Sequence, residues 1–589
     1  MASSSPNRAA VLRGGRLGPV AVLAVAAVLV FGAYHKAWVT DDAYITFRAI
    51  ENLFDGHGLT WNVGERVQVF THPLWMMAMC GVRALTGGFF HGAVALNLAL
   101  TLATALLLAL RLARSWPAAC VGLGLLAASR AFTDFATSGL ENALLHLLLV
   151  LLVWLDDGSR SRAAVARFSL VAALCLMTRP DALFLIAPAW ALVLLRAGLR
   201  RAAPALLAGL APLVLWELFA LVYYGSLLPN SVLAKLNHGL PAGAMIAQGG
   251  HYLANSLRGD PVTLVGIAAA TAAGLMTLRG VRFRSLMAGE TASGARPDAP
   301  WTWGAGLVLM LLYVVVVGGD FMSGRFLTAP LAVAAAVIVT RPLPAAFARA
   351  AGAALLALFL LPWSSPLRDR DYGAEWHAAI DADGIADERS YYTEIGSLRA
   401  ARHAAAWPDP RSAQNAARFK REWPADNFVD YLLQLGVLSP EDRWPPAAAT
   451  DEDGRPLRMV AIRGAVGFLG YHLGPSVHVL DYHALGDPLL ARLPATVPDP
   501  ILRDRIPRLA SLPWRIGHFY RRPPVGYVRT LACGRNVIAD PDIARYYDVI
   551  RRLTRDPVFD RERLATLWKF QFGGYEELRR RAAAASARR

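Results

Sequence analysis

Two adjacent carboxylates, Asp41 and Asp42, end a membrane-length apolar run, "AVLAVAAVLVFGAYHKAWVTDD". Carboxylates so placed can take a proton from a hydroxyl as general base. They can also support positive charge growing at a reacting carbon. Arginines recur in short polar breaks further on: Arg48 in "YITFRAIEN", Arg179 in "MTRPDAL" and Arg325 in "GGDFMSGRFL". A guanidinium fork pairs well with phosphate oxygens, and an arginine close to lipid needs a partner or a task. Acids accompany them: Asp134 and Glu141 in "DFATSGLEN", and Asp320 in "GGDFMSG". A continuous helix would put Asp134 and Glu141 on one face, but Ser138 and Gly139 argue against continuity. Each has a plainer reading. The Asp pair also fits a solvated boundary, Arg179 a loop pair with Asp181, Arg325 an ordinary turn with an ion pair, and Glu141 a helix cap. His146 sits in an apolar face and reads as a packing histidine. Glu217, inside "LVLWELFALVYYG", reads as hydrogen-bonded within a bundle. Lys235 fits a phosphate contact and a solvated loop charge equally.

These residues hang on a chain built for lipid. Of 589 residues, 55% are hydrophobic and 18% charged, less charge than a typical soluble protein carries. The apolar residues come in blocks, and a block of roughly 18 reads as a membrane span. The blocks fill residues 17–363. From Ser364 onward the chain turns rich in Arg, Asp, Pro and Trp. The expected fold is therefore a polytopic α-helical membrane domain over 1–363, with an external loop at 40–72, and a soluble mixed α/β domain over 364–589. The strands are expected in "MVAI" and "VHVLDY", the helices in "AARFKREWPADNFVDYLLQLG" and "DIARYYDVIRRLT". The net charge of +16 lies largely in loop arginines, which argues against nucleic acid as the partner. The terminal "RRRAAAASARR" reads as a basic tail, one that suits an anionic lipid surface. The four cysteines show neither metal-ligand spacing nor a disulfide framework.

Basic loops follow a cytoplasmic N-terminus carrying Arg8, Arg13 and Arg16. They recur at 111–116, 156–167, 196–201, 278–284 and 341–349. Positive charge marks the cytoplasmic side, so loops 40–72, 130–140, 179–181, 224–255 and 318–325 fall outside. Parity then asks for about eleven spans, near 17–38, 91–112, 117–131, 140–155, 163–178, 182–197, 203–224, 261–279, 302–318, 326–340 and 347–363. Segment 73–88 is left as a non-spanning helix or re-entrant hairpin. The C-terminal domain lies outside, in a plasma (inner) membrane setting. After Asp42, Tyr44, Phe47, Ile50 and Phe54 fall at helical spacing with Arg48 and Glu51 between, which predicts an amphipathic helix along the interface. "TWNVGERV" is expected to be extended.

An Asp-rich end to the first span, followed by a loop with a surface helix, resembles the GT-C glycosyltransferases. The chain is similar in particular to the terminal β-(1→2) arabinofuranosyltransferases of actinobacterial cell-wall arabinan. The segments that carry this are "DDAYITFRAIENLFDGHGLTWNVGERVQ" (41–68), "DFATSGLEN" (134–142), "TRPD" (178–181), "GGDFMSGRFL" (318–327), "GYHLGP" (470–475) and "LDYHALGDPLLAR" (480–492). Ser323 stands where that branch often has a His. The resemblance implies transfer of a sugar from a polyprenyl-phosphate donor to an extracytoplasmic glycan or glycoconjugate.

On that reading Asp41 or Asp42 is the base. Asp41 is marginally preferred because it ends the span, though the sequence does not separate them. Arg48, Arg179 and Arg325 would bind the donor phosphate. Asp134, Glu141, Asp320 and the loop residues Asp481, Tyr482 and His483 would contact sugar or acceptor. Of the aromatics Tyr391, Tyr392, Trp423, Tyr471, Tyr482, Trp514 and Tyr527, most are expected in cores, with some free to stack on sugar rings. A divalent ion, Mg²⁺ or Mn²⁺, would have to use Asp41, Asp42 and Glu51 with phosphate or water completing its shell. Two alternatives stand beside this: a mannosyl- or aminosugar-transferring relative, and a glycan or lipid transporter. A transporter would show inverted repeats and helices broken at the midplane. The sequence has no internal repeat, and its acids gather at the ends of apolar segments.

Overall fold

The computed structural model describes residues 17–278, 299–341, 343–361, 365–370, 372, 376–401, 408–443, 450, 453–506 and 509–588. Arg8, Arg13, Arg16, most of the basic loop 278–284 and the expected domain boundary at 363–364 lie outside them.

A helix occupies each of the eleven apolar segments. Four are long and apolar enough to cross a membrane: Gly18–His35, Phe90–Leu112, Leu199–Tyr224 and Pro261–Leu278. Shorter apolar helices follow at Trp116–Ala128, Asn142–Leu155, Ala182–Ala197, Pro300–Val316, Arg325–Val339 and Ala346–Leu360, and Arg162–Thr178 is helical as well. Segment 73–88 resolves into a single helix, Pro73–Thr86, opened by its proline and closed by Gly87 in the left-handed conformation. In the bundle, 199–224 packs on 162–178, and 300–316 packs on both 182–197 and 261–275. Small residues allow this: a Cβ on Gly306 would run into the Leu185 carbonyl, and one on Gly122 into Val339. Close backbone approach of this kind is how helices associate without a hydrophobic drive between them. Glu217 has no hydrogen-bond or ion-pair partner among the described residues, contrary to the bonded role expected of it. His146 packs as expected, its ring stacked on Phe132 at 4.7 Å.

Beyond the bundle, β1 (Met459–Arg463) and β2 (Val477–Asp481) pair in parallel, Met459 opposite Val477. Their connection is the helix Gly467–Leu473. Helices Pro410–Glu422, Asn427–Gln434 and Pro541–Arg555 fall where apolar periodicity puts them. This region is thus mostly helix and loop around one two-stranded sheet.

The helix Asp41–Phe54 departs from expectation. It does not lie open on an interface: Ala43 to Ile50 are all buried. One face carries Tyr44 and Phe47, against Phe468, Tyr471 and Phe89. The other meets the bundle side, where the Thr46 hydroxyl lies 3.0 Å from His72 Nε2. Its amphipathic pattern is therefore that of a helix clamped between two protein layers. "TWNVGERV" is a turn closed by a bridge between Asn62 and Glu65, and not a strand.

Arg48 fastens this clamp. Its guanidinium is 2% exposed and donates to the carbonyls of Trp61 (2.9 Å), Val477 (2.8 Å) and Gly470, while lying over the Trp61 ring. Removing it would strip a donor from the Gly470 and Val477 carbonyls, at about 1–3 kcal/mol each before relaxation, while the Trp61 carbonyl keeps a bond from Asn52. Arg48→Met is expected to lower stability by roughly 3 kcal/mol, measured as a drop in melting temperature in detergent. An unchanged melting temperature would show that these bonds do not hold the layers together.

Candidate active site

Asp41 and Asp42 start their helix side by side, but they face different work. Asp41 accepts from the backbone N–H of Gly467 (2.9 Å) and Phe468 (2.6 Å). It thereby satisfies donors at the start of 467–473. The approach is close enough that a Cβ on Gly467 would strike the Asp41 carbonyl. Asp42 has no hydrogen-bond or ion-pair partner among the described residues and is half-buried. Burial raises the Asp41 pKa to about 7, with Asp42 adding to the rise and the two N–H groups opposing it. Burial also raises Asp42, while Arg325 and Lys235 pull it down. Of the two carboxylates, Asp41 is engaged by backbone donors and Asp42 is not.

The charges facing Asp42 are organised around Glu141. This residue is 1% exposed and does not cap its helix, since its side chain makes no cap bond. Its Oε1 accepts from Arg179 Nη1 at 3.1 Å and lies 3.5 Å from Arg325 Nη2. Its Oε2 lies 3.3 Å from His72 Nδ1, and His72 Nε2 is 3.0 Å from the Thr46 hydroxyl. The His72 ring and the Arg325 and Arg179 guanidiniums enclose the carboxylate. Three of the expected segments, "DFATSGLEN", "TRPD" and "GGDFMSGRFL", thus meet at one carboxylate.

Arg179 is largely committed. Asp181 takes its Nε (2.9 Å) and Nη2 (2.6 Å), so the loop pair read as the plain alternative does form. Arg325 is freer. Asp320 lies 3.4 Å from its Nη1, and its Nε has no partner among the described residues. The turn that presents Arg325 needs glycine: Gly319 has φ +73° and rests against the Tyr252 ring. Tyr252 in turn donates to the Met322 carbonyl (3.2 Å) and accepts from Phe326 N–H (3.1 Å). Lys235 completes the group. It keeps one side open to solvent, while protein around it lowers its pKa and Asp320 and Asp42 oppose the drop.

Other expected site residues lie elsewhere. Arg48 has its donors on backbone carbonyls and is not placed to hold phosphate. Asp134 belongs to a separate network with Lys36 (3.4 Å) and Arg130 (3.4 Å), on the wall of a cavity of about 370 Å³ that Ser323 and Glu388 also line. Asp481 is fully buried and closes its own loop, accepting from His483 N–H (2.8 Å) and Leu485 N–H (2.6 Å). It therefore shapes the loop and cannot touch a sugar. Tyr482 and His483 do reach a cavity, of about 310 Å³, with Tyr391, Tyr392, Arg515 and His518. Asp41 lines the adjoining one, of about 440 Å³, which shares Tyr391, Tyr392 and Tyr482. Tyr527 is core, bonded to Asp487 at 2.8 Å.

Glu51 pairs with Arg83 at 3.0 Å and accepts from Tyr471. It does not join Asp41 and Asp42, and no group of three acid, His or Cys side chains suited to a metal occurs among the described residues. The expected ion set does not fit, and no step is routed through a metal. Sequence reasoning missed His72, Lys36 and Glu388. Glu388 lines two cavities, and burial raises it to about 8. His72 and Lys36 stand beside apolar segments, and Glu388 sits in the polar run "DERS"; no spacing pattern singled any of them out.

No family model matches the chain. It is 29% identical over 531 aligned residues to the terminal β-(1→2)-arabinofuranosyltransferase of Mycobacterium tuberculosis, covering 80% of this chain and 81% of that protein. It is 30% identical over 376 residues to the protein of the same name from Corynebacterium glutamicum, covering 56% of this chain and 52% of that protein. The resemblance marks the chain as a glycosyltransferase. The likeness read from motifs alone thus extends over most of its length.

Glu141→Gln leaves the buried guanidiniums of Arg179 and Arg325 uncompensated and is expected to cost about 3–5 kcal/mol. Denaturation followed at pH 7 checks this; stability equal to wild type would refute the role given to Glu141.

Proposed function

We propose that this glycosyltransferase transfers an arabinofuranosyl unit from a polyprenyl-phosphate donor to a glycan or glycoconjugate acceptor outside the plasma membrane. In this reading residues 1–363 form the GT-C domain with about eleven crossings, and 364–589 form an extracytoplasmic domain in cell-envelope biogenesis. The names of the two relatives support the sugar. The observation that carries the site is the Asp42 carboxylate, which has no bonded partner among the described residues and lies within the electrostatic reach of Arg325 and Lys235, while Asp41 is occupied by backbone donors.

The chemistry follows from these positions. The acceptor hydroxyl gives its proton to Asp42 as its oxygen bonds to the anomeric carbon. The bond from that carbon to the phosphate oxygen breaks, and the phosphate leaves with its negative charge. Arg325, held by Asp320 and Glu141, and Lys235 stabilise that charge without reorganising. Arg179 acts through Glu141 by fixing the carboxylate that fixes Arg325. The aromatic walls shared by the two adjoining cavities, Tyr391, Tyr392 and Tyr482, suit the faces of acceptor sugar rings.

The test uses full-length protein in nanodiscs with a polyprenyl-phospho-arabinofuranose and a short arabinan, with extension followed by mass spectrometry. Asp42→Asn is expected to lose about 10²–10⁴-fold in rate. Asp41→Asn should retain more activity while losing about 1–3 kcal/mol of stability. Extension persisting undiminished in Asp42→Asn would rule out the assignment. No extension by wild type, with a mannosyl or aminosugar donor accepted instead, would overturn the sugar and keep the class.

With Asp42 as base, the wild-type rate must rise with pH as its carboxyl ionises. Its raised pKa puts that limb above 3.8, the ordinary aspartate value. A kcat/KM profile flat across the acidic range would contradict this.

A further inference from the structure

The helix Arg561–Gln571 has one buried face and one bare apolar face. Arg563 is fully buried and ties the helix to the end of the 199–224 span, donating from Nη2 to the carbonyls of Val222 (2.8 Å) and Tyr223 (3.1 Å). Gln571 adds a bond to the Gly225 carbonyl at 3.1 Å. Thr566 and Leu567 face inward with Arg563. Outward stand Leu564, Trp568 and Phe572, 38%, 68% and 71% exposed, with Phe559 at 80% just before the helix. Residues 564, 568 and 572 recur every four positions, so they form one stripe. The Trp568 and Phe572 rings pack on each other at 4.4 Å.

Such a stripe on a water-facing surface is a liability. Its place explains it. The 199–224 helix is one of those long enough to cross a membrane, and its outward side chains, Leu215 and Leu218 among them, are bare. That bare surface continues past Tyr224 through Leu227 and Leu228, 47% and 46% exposed. The bonds from Arg563 and Gln571 then fix the aromatic stripe at the level where the span ends. Trp and Phe at that level, on a helix lying across the end of a span, match the headgroup zone of a bilayer.

We propose that the stripe Phe559, Leu564, Trp568 and Phe572 inserts into the interfacial zone of the bilayer and seats the C-terminal region on the membrane. The bilayer is the occupant because the stripe is continuous with a lipid-facing span and is tethered to its end. The contact stands independently of the sugar transferred. It would hold the cavities lined by Tyr391, Tyr392 and Tyr482 at a constant height above the lipid that delivers the donor.

The test places a single environment-sensitive fluorophore on full-length protein in nanodiscs. Cys80, Cys120 and Cys533 are first replaced by Ala; Cys175 is buried and does not label. Cysteine is introduced as Trp568→Cys, as Phe572→Cys or, on the polar face, as Glu562→Cys. Labels at 568 and 572 are expected to emit blue-shifted light and to be quenched by lipid-borne nitroxide, with little loss to aqueous iodide. The label at 562 should behave in the opposite way. Iodide quenching at 568 equal to that at 562 would overturn the proposal. Shielding at 568 from both quenchers would overturn it too, and would point to a second copy of the chain on this face. Because these positions are exposed, monodisperse elution of each variant keeps the comparison free of folding defects.

Discussion

A carboxylate buried in a helical bundle is unfavourable unless cations meet it at hydrogen-bonding distance. Glu141 is in that position, and the requirement organises the site. To neutralise it, the bundle brings two guanidiniums, Arg179 from one inter-helix break and Arg325 from another, and sets the His72 ring beside them from the entrance to a third helix. Each of these is then fixed by something else: Arg179 by Asp181, Arg325 by Asp320, His72 by Thr46. The result is a guanidinium, Arg325, held in place with donors still unfilled. In the proposed mechanism this spares the enzyme from ordering a mobile phosphate-binding side chain at every turnover.

The Asp41–Asp42 pair shows the same division between holding and acting. One carboxylate is spent on the N-terminus of the helix 467–473, and this fixes the other. Arg48 reinforces the joint two turns further along the helix 41–54, donating to the Gly470 carbonyl. The residues that join the bundle to the C-terminal region therefore also set the geometry of the open acid, so a change that loosens either layer is felt in the site.

Much of this was legible in the sequence. Apolar block lengths gave the helices, the punctuation "TRPD" and "GGDFMSGR" marked the breaks, and short apolar runs between Pro/Gly turns marked β1 and β2. The meeting of three motifs at Glu141 was not legible, because Glu141, Arg179 and Arg325 are separated by whole helices. Arg48 misled for a physical reason: an arginine near lipid and an arginine bridging carbonyls look alike in a sequence. Asp481 misled likewise, since an aspartate that closes its own turn has the same neighbours as one that binds sugar. The amphipathic pattern of 41–54 was real, but a helix between two protein layers carries the same apolar spacing as one lying on a membrane.

The measurement that bears most directly on the central claim is equilibrium binding of a polyprenyl phosphate without its sugar to nanodisc-embedded protein. Lys235→Gln is the variant to compare with wild type, since that side chain is open to solvent and its loss leaves the packing around Glu141 intact. The account predicts weaker binding by Lys235→Gln, with the melting temperature unchanged. Affinity equal to wild type in that variant, and again in Arg325→Gln protein that remains folded, would contradict it.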